Sequence, residues 1–287
     1  MYFSKFVDFV EENLDKIKYV HLSSNPNATH ILEEKIQFLE ANNKSSYGEI
    51  NWLLVASNPN AGYILANNQH YFEYSHWSNL SQNPGAIPLL EAQLEKNPEK
   101  INWASLSSNP NAMHLLEDNF EEIRWVFLSA NPSAIYLLEE NPEEIDWRQL
   151  SSNPNALHLL ERNMGNIDWD LLSMNPNALH LLERNMDRIN WRLLSKNPNA
   201  MHLLKQNPEQ IDWWNLSANP GAIDFLRRNV DKISWMSIHN NPGIFGYDYD
   251  KMKSRFYDNG VFEQLMQNRF HPRNVHKFED WGFEGVY

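Results

Sequence analysis

The chain has 287 residues, of which 42% are hydrophobic and 13% aromatic, a composition that builds a packed core rather than a disordered chain. It contains no cysteine, which excludes disulfides, thiolate chemistry and cysteine zinc sites and points to a reducing, intracellular setting rather than secretion. A net charge of -13 opposes nucleic acid, and no apolar run approaches the roughly 18 residues that span a bilayer, so neither nucleic acid nor membrane is an expected partner.

The first segment, "MYFSKFVDFVEENLDKI", is aromatic-rich and amphipathic and predicts an N-terminal capping helix over residues 1–16. Tandem repeats follow over residues 17–243. Asn-Pro pairs stand in register at Asn25, Asn58, Asn83, Asn109, Asn131, Asn153, Asn175, Asn197, Asn219 and Asn241. The last seven are 22 residues apart, whereas the first three intervals are 33, 25 and 26, so the early units carry insertions. Six residues before each Asn stands an aromatic: Tyr19, then Trp52, Trp77, Trp103, Trp125, Trp147, Trp169, Trp191, Trp213 and Trp235.

Capping chemistry divides each unit into two short helices. Asp146, and Asn51, Asn102, Asp168, Asn190, Asp212 or Ser234 in its place elsewhere, accepts a hydrogen bond at the start of the Trp helix. Ile145 and Leu150 sit at the two ends of a hydrophobic staple. Asn153 caps a second helix that Pro154 opens and that runs to about Arg162, with Asn163 closing it in the left-handed conformation. Asn109, Asn131, Asn175, Asn197 and Asn219 are the equivalent caps. Ala156, Leu157, Leu159 and Leu160 form a buried stripe that a unit this small cannot cover alone. The fold class is all-α: an α-solenoid of about ten 22-residue two-helix repeats, elongated, with helical caps at both ends. The insertion around Glu34 to Gly48 lengthens the second helix of the first unit and adds a polar loop. Residues 244–287 lose the period and read as a helical C-terminal cap.

The units "IDWRQLSSNPNALHLLERN" and "IDWDLLSMNPNALHLLERN" resemble tandem repeats of giant nucleocytoplasmic large DNA viruses, mimivirus-like and marseillevirus-like, over about residues 15 to 245. The ending "RFHPRNVHKFEDWGF" looks like one found on some of those proteins. The resemblance implies a viral helical-repeat protein acting in host cytoplasm, viral factory or virion. It carries over no catalytic residue.

Several columns invite a functional reading. His30, Tyr63, His114, Tyr136, His158, His180 and His202 occupy one position and should face solvent or a groove, as a binding stripe or as a duplicated surface residue. A metal there is disfavoured, since stacked helices lie roughly 8–10 Å apart and zinc needs ligands near 2 Å. The Trp column reads as core, with its indole N–H groups bonded to carbonyls at unit junctions. Glu91, Glu117, Glu139, Glu161 and Glu183 form a solvated face beside arginines, and Ser151 and its equivalents are small residues that let helices approach. The two residues after each Trp vary freely, with Phe127 and Trp214 the large apolar members, which makes them the first candidates for a partner-binding surface.

These observations predict a non-enzymatic scaffold that binds a protein partner, with no cofactor, metal or small-molecule substrate. Two alternatives are an enzyme using His271, His276 and Asp280 in the C-terminal segment, and a modular RNA reader, which needs a basic groove. Asp or Ser would cap a helix about as well as Asn, yet the register carries only Asn. Its amide is therefore predicted to donate to a carbonyl of the adjoining unit, forming an asparagine ladder.

Overall fold

The computed structural model describes residues 4–46 and 48–247. The expected C-terminal helical cap and the alternative site at His271, His276 and Asp280 lie outside the described residues, apart from residues 244–247. Those described are all-α but for one antiparallel pair of strands, β1 (Ser4–Phe6) and β2 (Phe245–Tyr247). Phe6 lies opposite Phe245, and their rings stack at 4.7 Å. The chain divides into two bodies, one holding both strands and the other spanning Val7–Ile244.

The expected N-terminal helix is not formed. In its place stand β1, a four-residue helix over Asp8–Glu11 and a 3-10 turn over Leu14–Lys16. Strand pairing with residues more than 230 positions away overrides the local helical pattern, a long-range term that amphipathicity does not report.

Within Val7–Ile244 the predicted α-helices form at each Trp from Trp52 to Trp213, whereas Tyr19 opens a 3-10 helix and Trp235 stands in a turn before one. Asp146 Oδ1 accepts from Gln149 N at 2.8 Å, and Asp168, Asn190 and Asp212 repeat the bond. The second helix begins later than expected, at Leu157, and runs to Arg162. The Asn-Pro-Asn-Ala stretch before it is a turn: Ala156 N donates to Asn153 O, and Asn155 N donates to Asn153 Oδ1 at 3.0 Å. Asn153 therefore caps that turn, and the α-helix has Ala156 as its N-cap. Asn109, Asn131, Asn175 and Asn197 do the same. At Asn83 and Asn219 a glycine follows the proline, and the turn becomes a 3-10 helix leading directly into the next helix. A Cβ on Gly221 would lie 2.2 Å from the carbonyl oxygen of Pro198, so only glycine permits that approach.

Asn163 does not adopt the left-handed conformation. Its φ is -131°, and its amide donates to Leu159 O at 2.8 Å, closing the helix with a side-chain bond to the carbonyl four residues back. Asn119, Asn141, Asn185, Asn207 and Asn229 repeat this bond. Two of these closing positions, Asn141 and Asn207, are themselves followed by proline, as is Asn97, so Asn-Pro also occurs outside the register, where it opens a 3-10 turn.

The predicted asparagine ladder is present and doubled. Asn153 is fully buried, and its amide donates to Ser129 O at 3.0 Å and Asn131 O at 2.8 Å, both in the preceding unit. Asn175 donates in turn to Ser151 O and Asn153 O, and the pattern holds through Asn241. The serine column forms a second tie. Ser151 Oγ donates to Trp147 O and accepts the backbone N–H of Asp168, which opens the next Trp helix. These serines are connectors between units as well as small residues. Buried between these ties are Ala156, Leu150, Leu160 and their equivalents; each fully buried leucine contributes roughly 1.5–3 kcal/mol.

The expected open, elongated array is not found, because the ladder returns to its start. Asn25 Nδ2 donates to His239 O at 2.8 Å and Asn241 O at 3.0 Å, the same two-bond pattern reached from the first unit to the last. Asn27 Nδ2 donates to Pro242 O, as Asn155 Nδ2 does to Pro132 O. Ser24 Oγ donates to Asn240 Oδ1, and Lys16 covers the Trp235 ring at 4.9 Å. The first and last units thus bond to each other as interior neighbours do. No terminal helix is needed to cover an open end there.

Candidate functional site

The His/Tyr column and the Glu column prove to be one feature. His114, His158, His180 and His202 bond through Nε2 to Glu91, Glu139, Glu161 and Glu183 of the preceding unit at 2.7–3.0 Å. Tyr136 donates to Glu117 in the same place; desolvation, with the hydrogen bond and charge of Glu117 and the charge of Glu140, pushes its phenol up to about 12. The Glu partners in this column are therefore imidazoles and a phenol rather than the expected arginines. The pairs are half-exposed, and exposed pairs of this kind contribute at most about 1 kcal/mol. Two members depart from the column. Tyr63 is 74% exposed, and His30 is buried. Among the described residues no group of three or more His, Asp or Glu is placed to hold a metal ion.

The Trp column is less buried than expected. Trp52 and Trp77 are core residues, but Trp103, Trp125, Trp147, Trp169, Trp191, Trp213 and Trp235 are only partly covered. Part of the cover is cationic: Lys100, Arg188 and Lys232 lie over the rings of Trp77, Trp169 and Trp213 at 4.9–5.6 Å. The indole bond that replaces the predicted carbonyl contact runs from Trp52 Nε1 to Ser46 Oγ, in the first insertion. Trp77 Nε1 is buried and has no hydrogen-bond partner among the described residues.

The variable positions after each Trp are the surface on which units differ. They adjoin across junctions: Asn215 Nδ2 donates to Arg192 O, Asn79 Nδ2 donates to Leu53 O, and the Ser78 and Ser105 hydroxyls lie 3.1 Å apart. Phe127 and Trp214 are exposed, at 47% and 53%. They stand in units that are not adjacent. Arg148, Asp170 and Arg192 occupy the intervening positions in the chain, and Arg148 bonds to Asp168 at 3.4 Å.

Closure of the ladder assembles a different set. Following Trp214 in register come Met236, then Val20 of the first unit, then Leu53 of the second. Met236 is 59% exposed and Leu53 43%. This run of uncharged apolar positions leads into two clefts. One, of about 520 Å³, is lined by Val20, Asn51, Trp52, Leu53, Tyr71 and His76 among others, with Trp52 and Tyr71 stacked at 4.5 Å. The other, of about 590 Å³, is walled by Tyr19, Val20, Ile31, Lys35, Phe38 and Glu49. The Lys35–Glu49 pair at 2.7 Å holds the Glu49 carboxyl below its ordinary range, chiefly through that hydrogen bond.

Both clefts are lined in part by the lengthened segments of the first two units, residues 34–50 and 69–76. The second insertion also rebuilds a junction. Ala56 replaces the connecting serine there, and the start of the next helix is closed instead by Glu73 N donating to His76 Nδ1. The irregular spacing of the first three Asn-Pro intervals was the available signal for these clefts. Nothing in the linear order announced that Met236 of the last unit precedes Val20, which lines both clefts, in the closed register.

No helix among the described residues is long and apolar enough to cross a membrane. The chain matches no described protein family, no curated protein and no solved structure.

Proposed function

We propose that the protein is a non-enzymatic α-solenoid scaffold, closed by contact between its first and last units, that binds a protein partner along the seam. The observation that carries this reading is the strip formed by Trp214, Met236, Val20 and Leu53, which leads into the two insertion-lined clefts. Three features support it. The strip carries no charge, whereas the chain as a whole is at -13. Exposed aromatic and methionine side chains are enriched where partners dock. Insertions into repeats fall on loops that serve binding faces. The repeat's resemblance to giant-virus proteins supports a viral origin, with host cytoplasm, viral factory or virion as the place of action.

The test is quantitative cross-linking capture in cells producing the full chain. Trp214→Ala with Met236→Ala should lower recovery of the partner at least tenfold, the scale of a hot-spot loss. Tyr63→Ala with His158→Ala, on the second helices, should leave recovery unchanged. Equal recovery by both double variants would refute the seam as the binding face.

A further inference from the structure

The junction between the last unit and the first differs from its neighbours in one side chain. Four residues after the column aromatic, the other units carry Ser23, Ser81, Ser107, Ser129, Ser151, Ser173, Ser195 and Ser217, or Ala56 at the rebuilt junction. The last unit carries His239. In the serine junctions the hydroxyl accepts the backbone N–H of the residue that opens the next Trp helix, at 2.9–3.3 Å. At the seam Lys18 is that residue, and its N–H donates to His239 Nε2 at 2.8 Å. The imidazole thus takes over the serine's bond, with one difference in chemistry. A hydroxyl keeps its acceptor lone pairs at any physiological pH, whereas Nε2 loses its only one on protonation.

We propose that His239 is a pH-sensitive latch: protonation removes the acceptor for Lys18 N–H and opens the seam between the first and last units, while the serine-bonded junctions stay closed. The surroundings favour the neutral ring. His239 is 2% exposed, and its Nδ1 faces the Met236 carbonyl at 3.3 Å, which assigns the ring proton to Nδ1. The groups packed against it are His21, ring to ring at 5.4 Å, and the cationic Lys18. Desolvation holds the imidazole below its ordinary range, and His21 and Lys18 push the same way, against the Met236 and Trp235 carbonyls. The sign follows. A ring released to solvent titrates near its ordinary value of about 6.5 and binds protons that the closed seam rejects. Closure is fully favoured above that value. As pH falls below it the balance shifts toward the open form by up to about tenfold per pH unit, until the closed-state value is reached. The inference rests on this junction alone and does not depend on the identity of a partner.

Because the chain has no cysteine, two can be placed at will. Tyr19→Cys and Met236→Cys, both at exposed positions flanking the seam, carry spin labels in the full chain, and their separation is read by pulsed electron resonance. A single short distance is expected at pH 7.5, joined by a growing long-distance population toward pH 5. Adding His239→Ser should leave the distance short at both values. A distribution that does not change with pH overturns the proposal, as does an identical pH response with serine present. Hydrogen exchange on the unsubstituted protein gives a second reading should the serine variant fold poorly. Corrected for intrinsic rates, protection at Lys18 should fall with pH while that at Asp168 persists; equal behaviour of the two overturns the latch.

Discussion

Replacing Asn153 with aspartate isolates the donor half of the ladder. Asparagine accepts from Asn155 N with Oδ1 and donates through Nδ2 to Ser129 O and Asn131 O, at zero exposure. Aspartate keeps the acceptor and turns the donor into a second acceptor facing two carbonyl oxygens. Each buried carbonyl left without its donor costs roughly 1–3 kcal/mol. An ionised carboxylate in the same dry site adds several more, until it takes up a proton instead. Asn153→Asp should therefore lose about 4–7 kcal/mol at pH 7, more than Asn153→Ala, although alanine also gives up the Oδ1 bond. The pH dependence distinguishes charge from shape. Burial raises the folded-state carboxyl above its unfolded value near 3.9, so the deficit against wild type at the same pH is smallest at low pH. It grows by up to about 1.4 kcal/mol per pH unit as pH rises toward the folded value. Urea midpoints at pH 4.5 and pH 7 measure this. An Asn153→Asp protein within about 0.5 kcal/mol of wild type at pH 7 would refute the ladder's energetic role, and equality with Asn153→Ala at both pH values would refute the buried-charge part of the argument.

Three further outcomes follow from the junction geometry. Ser151→Ala removes the acceptor of Asp168 N and should cost about 1–2 kcal/mol in urea unfolding, whereas Ser152→Ala, whose hydroxyl bonds only to Gln149 within its own unit, should cost less than about 0.5. Gly221→Ala sets a Cβ against the Pro198 carbonyl and should destabilise by about 2 kcal/mol or more, while Gly165→Ala, with open space around the new methyl, should stay within about 0.5. A double-mutant cycle on His180 and Glu161 should return a coupling of at most about 1 kcal/mol, because both side chains are more than two-fifths exposed.

What the sequence disclosed and what it withheld divide along physical lines. The Asp146 and Asp168 caps, the buried Ala156 and Leu160 of the stripe (though not Leu157 and Leu159, which are half-buried) and the donating Asn153 amide could all be inferred because each rests on spacing within a unit or on a contact repeated at every junction. Errors arose where two local solutions satisfy the same orphan group. Asn163 closes its helix with an amide bond to Leu159 O at ordinary φ, which serves the free carbonyl without a left-handed residue. Pro154 is compatible with a helix start and with a turn, and Asn153 O accepting from Ala156 N selects the turn. Of the proposed binding surface, Trp214 was visible as a large apolar side chain at a variable position, but Met236, Val20 and Leu53, which follow it in the closed register, were not. Their adjacency depends on the summed rotation over every junction, a quantity that no single repeat contains.

Closure also changes what the ends of the repeat array require. In an open array the amide of Asn25, the N–H of Lys18 and the carbonyls of His239 and Asn241 would have lost their inter-unit partners, at about 1–3 kcal/mol for each that stayed buried. An open repeat protein avoids this with dedicated capping segments whose outer face is polar. Here the same side chains that hold interior units together satisfy those groups, with His239 in the serine's place. The substitution falls at the one junction whose partners lie at opposite ends of the repeat array, more than 200 residues apart. The same long loop is also closed by Val7 N donating to Ile244 O at 2.9 Å and by the β1–β2 pairing, so loss of the Lys18 bond acts on a seam that those contacts still tether. A titratable acceptor at an interior junction would loosen two units already tethered by a short connection. At the seam the proposed latch makes closure of the array itself depend on pH.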